Sequence, residues 1–322
     1  MSAPLWRERP GPFALDLIGF GQCSVDHVCL VDGLPPIGGK RAMAGYAVQP
    51  GGQIATAVLA AARLGLRGAF VGAVGDDAGG ALALAPLARG GVDVTGVRRV
   101  AGAPTRLAVI LVDLASGERT VLGHRDPRLC LRAEDLSAER IASARCLLTD
   151  GEDPEAAAHV ARAARAAGVP VVVDVDAGGD ELEPLLAATD FPVVSRSFAQ
   201  SFGGDGTVRS GLARLVGLGA RMAVATLGEH GCLALLGERE IASPGFAIAP
   251  RDTTGAGDVF HAAFVWGLLE GLAPEPLLRA ANAAAALACC ALGAQGGLPT
   301  RAELEAFLRE RRPAPWREPA PG

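Results

Sequence analysis

Lysine is almost absent. Lys40 is the only one in 322 residues, so every other basic side chain, histidine aside, is arginine. Its surroundings, Gly38-Gly39-Lys40-Arg41, lack the Gly-x-x-x-x-Gly-Lys-Ser/Thr pattern in which backbone amides and a lysine cradle phosphates. A protein-kinase reading fails too, because His124-Arg125-Asp126 is followed by Pro127-Arg128-Leu129-Cys130 without the required asparagine, and no Asp-Phe-Gly comes after it. Gly19-x-Gly21 has no third glycine, which removes the dinucleotide fingerprint and a nicotinamide oxidoreductase with it. No apolar run approaches a membrane span, and the first ten residues contain no apolar core of signal-peptide length. The seven cysteines form no Cys-x-x-Cys pair and no even framework, which fits reduced thiols in a cytoplasm. A net charge of −5 argues against nucleic acid or an acidic membrane face as the main partner.

Half of the residues are apolar and a fifth are charged, as in an ordinary globular protein. Short apolar runs at 13–19, 68–74, 146–149, 170–174, 192–195 and 222–226 read as buried strands. Helical patterns fall between or after them, at 54–65, up to Leu87, at 154–167, 182–188, around Leu212, and at 274–292 and 301–309. This rhythm predicts a largely parallel central sheet covered on both faces, with ligands at the carboxyl ends of the strands. Two stretches break the rhythm. Val25–Val31, and the hairpin pattern of Arg106–Asp113 with Glu118–Leu122 across Ser116-Gly117, predict a small additional sheet. We expect one domain over residues 12–311, with the small sheet drawn from about 25–50 and 104–124, and loose termini at 1–11 and 312–322.

The stretch that carries chemistry is Asp252-Thr253-Thr254-Gly255-Ala256-Gly257-Asp258-Val259-Phe260. Asp252, Thr253 and Thr254 are residues that cap helices, and Gly255 and Gly257 let a ligand approach their bare backbone closely. Phe260, Phe264 and Leu268 recur at helical spacing behind them. A Gly-rich turn that opens a helix offers unpaired amides and a positive dipole end, which together form an anion site. Asp258 would repel an anion there unless it removes a proton from an attacking hydroxyl. The alternative is that it only complements the helix dipole.

This nonapeptide resembles the signature of the ribokinase-like sugar kinases, the phosphofructokinase-B group, at every fixed position. The resemblance extends over nearly the whole chain. It implies a three-layer α/β/α sandwich with a small β-sheet lid, and transfer of phosphate from ATP to a hydroxymethyl group of a small sugar or sugar acid. By that resemblance Asp258 is the base, and the amides of Gly255, Ala256 and Gly257 form the anion hole. Asp26, in Ser24-Val25-Asp26, and the Gly51-Gly52-Gln53-Ile54-Ala55-Thr56 segment correspond to sugar-binding positions; Gly52, Gln53 and Thr56 are the expected contacts, with Thr56 near where asparagine is usual. Asp150 is a further sugar contact. Thr226, Gly228 and Gly231, in Thr226-Leu227-Gly228-Glu229-His230-Gly231, resemble the nucleotide loop, with Asn282 and Ser195 also on the nucleotide side. Asp252, Thr254, Ala288 and Gly293 resemble the monovalent-cation site of some members, implying K⁺. Mg²⁺ is implied by the reaction, although Ser195-Arg196-Ser197-Phe198 replaces the usual Asn-x-x-Glu and is more like the ketohexokinase and sulfofructose-kinase branches.

The lid of relatives often forms a homodimer contact, and the same is expected here. A nucleoside kinase of this fold would need an aromatic base pocket, whereas Tyr46 is the one aromatic in the lid segments, histidine aside. A non-catalytic sugar- or nucleotide-binding regulator would not need Asp258. Arg106, Arg119, His124 and Arg125 lie in segments that could face the sugar. Such arginines suit an anionic substituent or, equally, a solvated surface.

Overall fold

A strand buried on both faces needs apolar side chains at every position, and Val171, Val172 and Val173 supply them. In the computed structural model, which describes residues 5, 6 and 9–316, they form the middle of an eight-stranded sheet. In chain order the strands are β1 (Leu15–Phe20), β2 (Ser24–Val31), β3 (Gly45–Gly51), β4 (Gly68–Val71), β5 (Ala73–Gly75), β6 (Arg98–Val100) and β7 (Leu107–Asp113). They continue with β8 (Arg119–His124), β9 (Ala144–Asp150), β10 (Val171–Val175), β11 (Phe191–Ser195), β12 (Ala223–Thr226), β13 (Gly231–Leu236) and β14 (Arg239–Pro244). The α-helices are α1 (Gln53–Arg63), α2 (Ala78–Arg89), α3 (Ala138–Ala142), α4 (Pro154–Ala166), α5 (Glu183–Leu186), α6 (Arg196–Gly203), α7 (Val208–Gly217), α8 (Ala256–Leu269), α9 (Pro274–Ala288) and α10 (Arg301–Glu310).

The large sheet has the order β14-β13-β12-β11-β10-β9-β1-β4. Strands β4 to β12 in that order run parallel, and the β13–β14 hairpin closes one edge antiparallel. Successive side chains on a strand point to opposite faces. Leu17, Leu148 and Val172 therefore enter one core with α1, α8 and α9, while Ile18, Leu147 and Val173 enter the other with α4, α6 and α7. Helices thus cover both faces, as the apolar runs require.

The small sheet has the order β3-β2-β7-β8, with β2 antiparallel to β3 and parallel to β7. Asp26 lies opposite Gln49 on β3 and beside Ala108 on β7. By the two-residue period, Asp26, Val28, Gln49, Ile110 and Arg119 share one face, and Val28, Ala108, Ile110 and Val112 form a small core there. The opposite face exposes Tyr46, Val48 and Leu122.

The structure differs from the sequence expectation in several places. The 68–74 run is two strands, broken at Gly72, and β5 pairs with β6 in a separate two-stranded piece. Helix α6 starts directly at the end of β11, with the Ser195 hydroxyl accepting from Phe198 N, so no loop announces it. The 274–292 helix stops at Ala288. At the ends, Trp6 packs on the first core under Arg221, and Ala314 N donates to Gly245 O. Within the segments expected to be loose, residues 1–4, 7–8 and 317–322 lie outside the described residues. Among the described residues no helix is long and apolar enough to cross a membrane.

Candidate active site

The loop before α8 is fastened by Asp252. Its buried carboxylate accepts from Thr254 N at 2.9 Å and from Gly293 N at 2.7 Å, tying the loop to the turn after α9. Gly255 then turns the chain with φ 79° and sits so close to that turn that a β-carbon would lie 2.7 Å from the Ala294 Cα. The helix therefore begins at Ala256 with no side-chain cap. Its first-turn amides have no intrahelical carbonyl behind them. The N–H of Ala256 is shared with Thr253 O over a long 3.3 Å bond. Asp258 stands third in the helix, half-buried. Burial, then the carboxylates of Asp174 and Asp176, push Asp258 well above the usual carboxylate range, while His261 and Arg119 pull it back.

Asp26 comes from the inner face of the small sheet. It is 3% exposed, accepts from Ser24 Oγ at 2.6 Å, and is held above its ordinary range by burial, against the pull of Ser24 and Arg106. Gly52, with φ 95°, opens α1 against the Cys23 backbone. Gln53 follows. Its Nε2 donates to Asp176 Oδ2 at 2.9 Å and its Oε1 accepts from Gln22 Nε2. Thr56 is fully buried one turn on, and its hydroxyl accepts from Gln295 Nε2 at 3.4 Å. Asp150, at the end of β9, accepts from the amides of Gln22 (2.8 Å) and Glu152 (3.2 Å), and burial pushes it up to about 7. Its oxygens thus shape two loops at the carboxyl ends of β1 and β9.

The residues expected on the nucleotide side are more closely tied to their neighbours. Thr226 ends β12 beside Ser195 and its hydroxyl donates weakly to Val194 O at 3.4 Å. Gly228 and Gly231 bound a short 3₁₀ turn with positive φ, closed by Leu227 N donating to Gly231 O at 2.7 Å. The Ser195 hydroxyl caps α6 and donates to Asp176 O at 2.8 Å. The Asn282 amide donates to Ser243 O at 2.9 Å and Pro244 O at 3.3 Å, pinning the end of β14. Phe198 is buried and stacked on Phe202 at 5.1 Å. Of the residues expected at a cation site, the Thr254 hydroxyl is buried without a partner among the described residues, Ala288 O accepts from Ala291 N and Gly293 O from Gly296 N. Among the described residues there is no group of three His, Cys, Asp or Glu side chains that could hold a metal.

Three arginines named from the sequence are engaged here, with partners the sequence did not single out. Arg106 makes a two-pronged ion pair with Glu152 at 2.8 and 3.1 Å, next to Gln22. Arg125 is paired with Asp153 at 2.9 Å. Arg119 reaches from β8 to Thr253 Oγ1 at 3.3 Å, and the Gly117 carbonyl in the hairpin turn accepts from Thr253 N at 3.2 Å. The small sheet therefore touches the loop that leads into α8. Glu152 carried a signal, since it follows Asp150 off the end of the same strand. Gln22, Asp174 and Asp176 had none beyond sitting at strand ends.

The family model described as pfkB family carbohydrate kinase matches residues 15–301. Over 295 residues the chain is 32% identical to a ribokinase of Bacillus subtilis, covering 89% of this chain and 97% of that protein. It is also 32% identical over 302 residues to an ATP-dependent ribose-1-phosphate kinase of Halopiger xanaduensis, covering 92% and 98%. Among solved structures it is similar to an Arabidopsis thaliana ribokinase complexed with ribose and ATP, with a TM-score of 0.78, 28% identity, and coverage of 92% of this chain and 99% of that one.

Proposed function

Because the chain belongs to the pfkB family of carbohydrate kinases, we propose that it transfers the terminal phosphoryl group of ATP to a hydroxymethyl group of a small sugar or sugar acid. The observation that carries this reading is Asp258: a half-buried carboxylate with a raised proton affinity, placed beside first-turn amides of α8. Asp258 accepts the hydroxyl proton as the oxygen attacks. The amides of Gly255, Ala256 and Gly257 take up negative charge on the transferring group. Asp26, Gly52, Gln53 and Thr56 hold the sugar, and Asp150 shapes its pocket through the amides of Gln22 and Glu152. Thr226, Gly228 and Gly231 line the nucleotide phosphates, with Ser195 and Asn282 supporting that side. The small sheet acts as a lid whose β7–β8 turn rests on Thr253, excluding water from the transfer.

Mg²⁺ supplies charge neutralisation on the phosphates when bound. With no three-carboxylate cluster among the described residues and Ser195 acting as a helix cap, we assign its coordination chiefly to the nucleotide. The unpartnered Thr254 hydroxyl and the buried Asp252 suit a monovalent cation such as K⁺, together with the carbonyls of Ala288 and Gly293. The fork of Arg106 held by Glu152, and the single contact of Arg125 with Asp153, favour a neutral sugar over an acid. A nucleoside acceptor is disfavoured, because Tyr46 lies on the outer face of the lid against His27. That outer face, with Tyr46, Val48 and Leu122, is our choice for a homodimer contact, and the free thiols fit a cytoplasmic setting. A panel of pentoses, hexoses and sugar acids assayed for ADP release tests the reading: sugar-dependent turnover is expected. Binding of sugar and ATP without turnover would instead identify a non-catalytic regulator.

A further inference from the structure

One buried histidine–aspartate pair beneath the site has no part in the scheme above. His261 lies one helical turn beyond Asp258 on α8, and its side chain and that of Asp174, from β10, are 3% and 4% exposed. The His261 Nδ1 is 2.8 Å from Gly257 O and 3.5 Å from Asp174 Oδ2, while Nε2 is 3.1 Å from Val193 O. The two carbonyls can only accept, having no hydrogen to give, and Asp174 accepts when ionised. A neutral imidazole carries one N–H and one bare lone pair, so either tautomer would aim a lone pair at a carbonyl oxygen in a site closed to water. The doubly protonated ring satisfies every contact. A buried charge then needs a counter-charge, and Asp174 stands where it is required.

We propose that His261 is held as an imidazolium by Gly257 O, Val193 O and Asp174, and that this pair is a positioning device that keeps Asp258 available as an anion. Without that positive charge, Asp258 would face the carboxylates of Asp174 and Asp176 from the end of β10, with Arg119 on β8 as the remaining opposing charge. Burial, then the carboxylates of Asp176 and of Asp150 on β9, push Asp174 well above the usual carboxylate range, and an imidazolium beside it is the charge that would hold it ionised. The ring holds the carbonyl of Gly257, whose peptide unit carries the Asp258 amide. It thereby fixes the backbone at the head of α8 as well as the charge beneath it.

The role of the pair rests on Asp258 being the proton acceptor, so its tests separate the two. In the full chain labelled with ¹⁵N-histidine, the ring of His261, resolved from the four other histidines, is expected to carry a proton on both nitrogens at pH 7.5. A singly protonated ring overturns the proposal whatever the enzyme does. In His261→Asn, which can donate to one carbonyl but carries no charge, the acid limb of kcat/KM should move to higher pH by about one unit, a tenfold loss on that limb, with the alkaline plateau largely retained. The Asp174→Asn/His261→Asn double variant should bring the limb back toward the parent. An unmoved limb in the folded single variant, with a doubly protonated ring in the parent, removes the role in tuning Asp258. Full turnover in Asp258→Asn would instead remove the base itself, leaving the ring's charge state to stand or fall on the spectrum.

Discussion

The Arg106–Glu152 pair offers a test of what kind of sugar fits. Both carboxylate oxygens of Glu152 take the guanidinium fork, at 2.8 and 3.1 Å, and Gln22 adds a longer contact from the loop that also meets Gln53. The side chains are 17% and 35% exposed, so the pair is partly buried. Removing one partner of a fully buried pair costs about 3–5 kcal/mol, and an exposed pair contributes about 0–1 kcal/mol. Glu152→Gln keeps shape and loses charge, and between those limits it should cost about 1–2 kcal/mol, a fall in Tm of about 2–4 °C. It also frees a guanidinium that matches a carboxylate bidentately. The ratio of kcat/KM for a sugar acid over its neutral parent sugar should therefore rise about tenfold or more, since ~1.4 kcal/mol of differential binding corresponds to a factor of ten. Steady-state kinetics on matched acid and neutral substrates, with melting curves alongside, measure both effects. An unchanged ratio together with an unchanged Tm would show that the pair neither walls the sugar site nor screens Arg106 from the substrate.

Gly255→Ala should be destabilised by at least ~1–2 kcal/mol, because an L residue at φ 79° is strained and its β-carbon would press on Ala294; denaturant unfolding and loss of activity would report it. Asp150 holds its proton to about 7 in the folded chain, against 3.8 as its ordinary value, so the folded state binds more protons between those limits and stability falls as pH rises through that window. Asp150→Asn should flatten that part of the stability–pH curve, as seen in melting temperatures at pH 5 and 7.5; an unchanged slope would contradict the assignment. Leu122→Asp, on the outer face of the lid, should shift a dimer toward monomer in sedimentation velocity without changing kcat/KM.

Much of the fold was legible because the parallel strands are short Val-, Leu- and Ala-rich runs buried on both sides, and the loops between them carry the helix-starting residues. The elements that escaped lack such punctuation. Helix α6 begins on the last residue of β11, and Gly72 divides a run that is apolar throughout. The placement of Asp258, Asp252 and the Gly51-Gly52 turn at helix starts was readable, since glycines and capping residues punctuate such starts. For the residues expected on the nucleotide side, the hydrogen-bond partners were not readable: the Ser195 hydroxyl caps a helix and the Asn282 amide holds a strand end. The Arg106–Glu152 and His261–Asp174 pairs were hidden because their members come from separate strands, loops and helices that only folding brings together. The likeness to the ketohexokinase branch rested on Ser195-Arg196 alone, and in the fold the Ser195 hydroxyl caps α6.

The central claim is that one carboxylate at the head of α8 takes a proton from a sugar hydroxyl. Coupled ADP-release kinetics of Asp258→Asn beside the parent, with ATP affinity measured separately, tests it most directly. A drop in kcat of about 10²–10⁴-fold with ATP binding intact is the predicted result. Turnover near the parent's would contradict the claim.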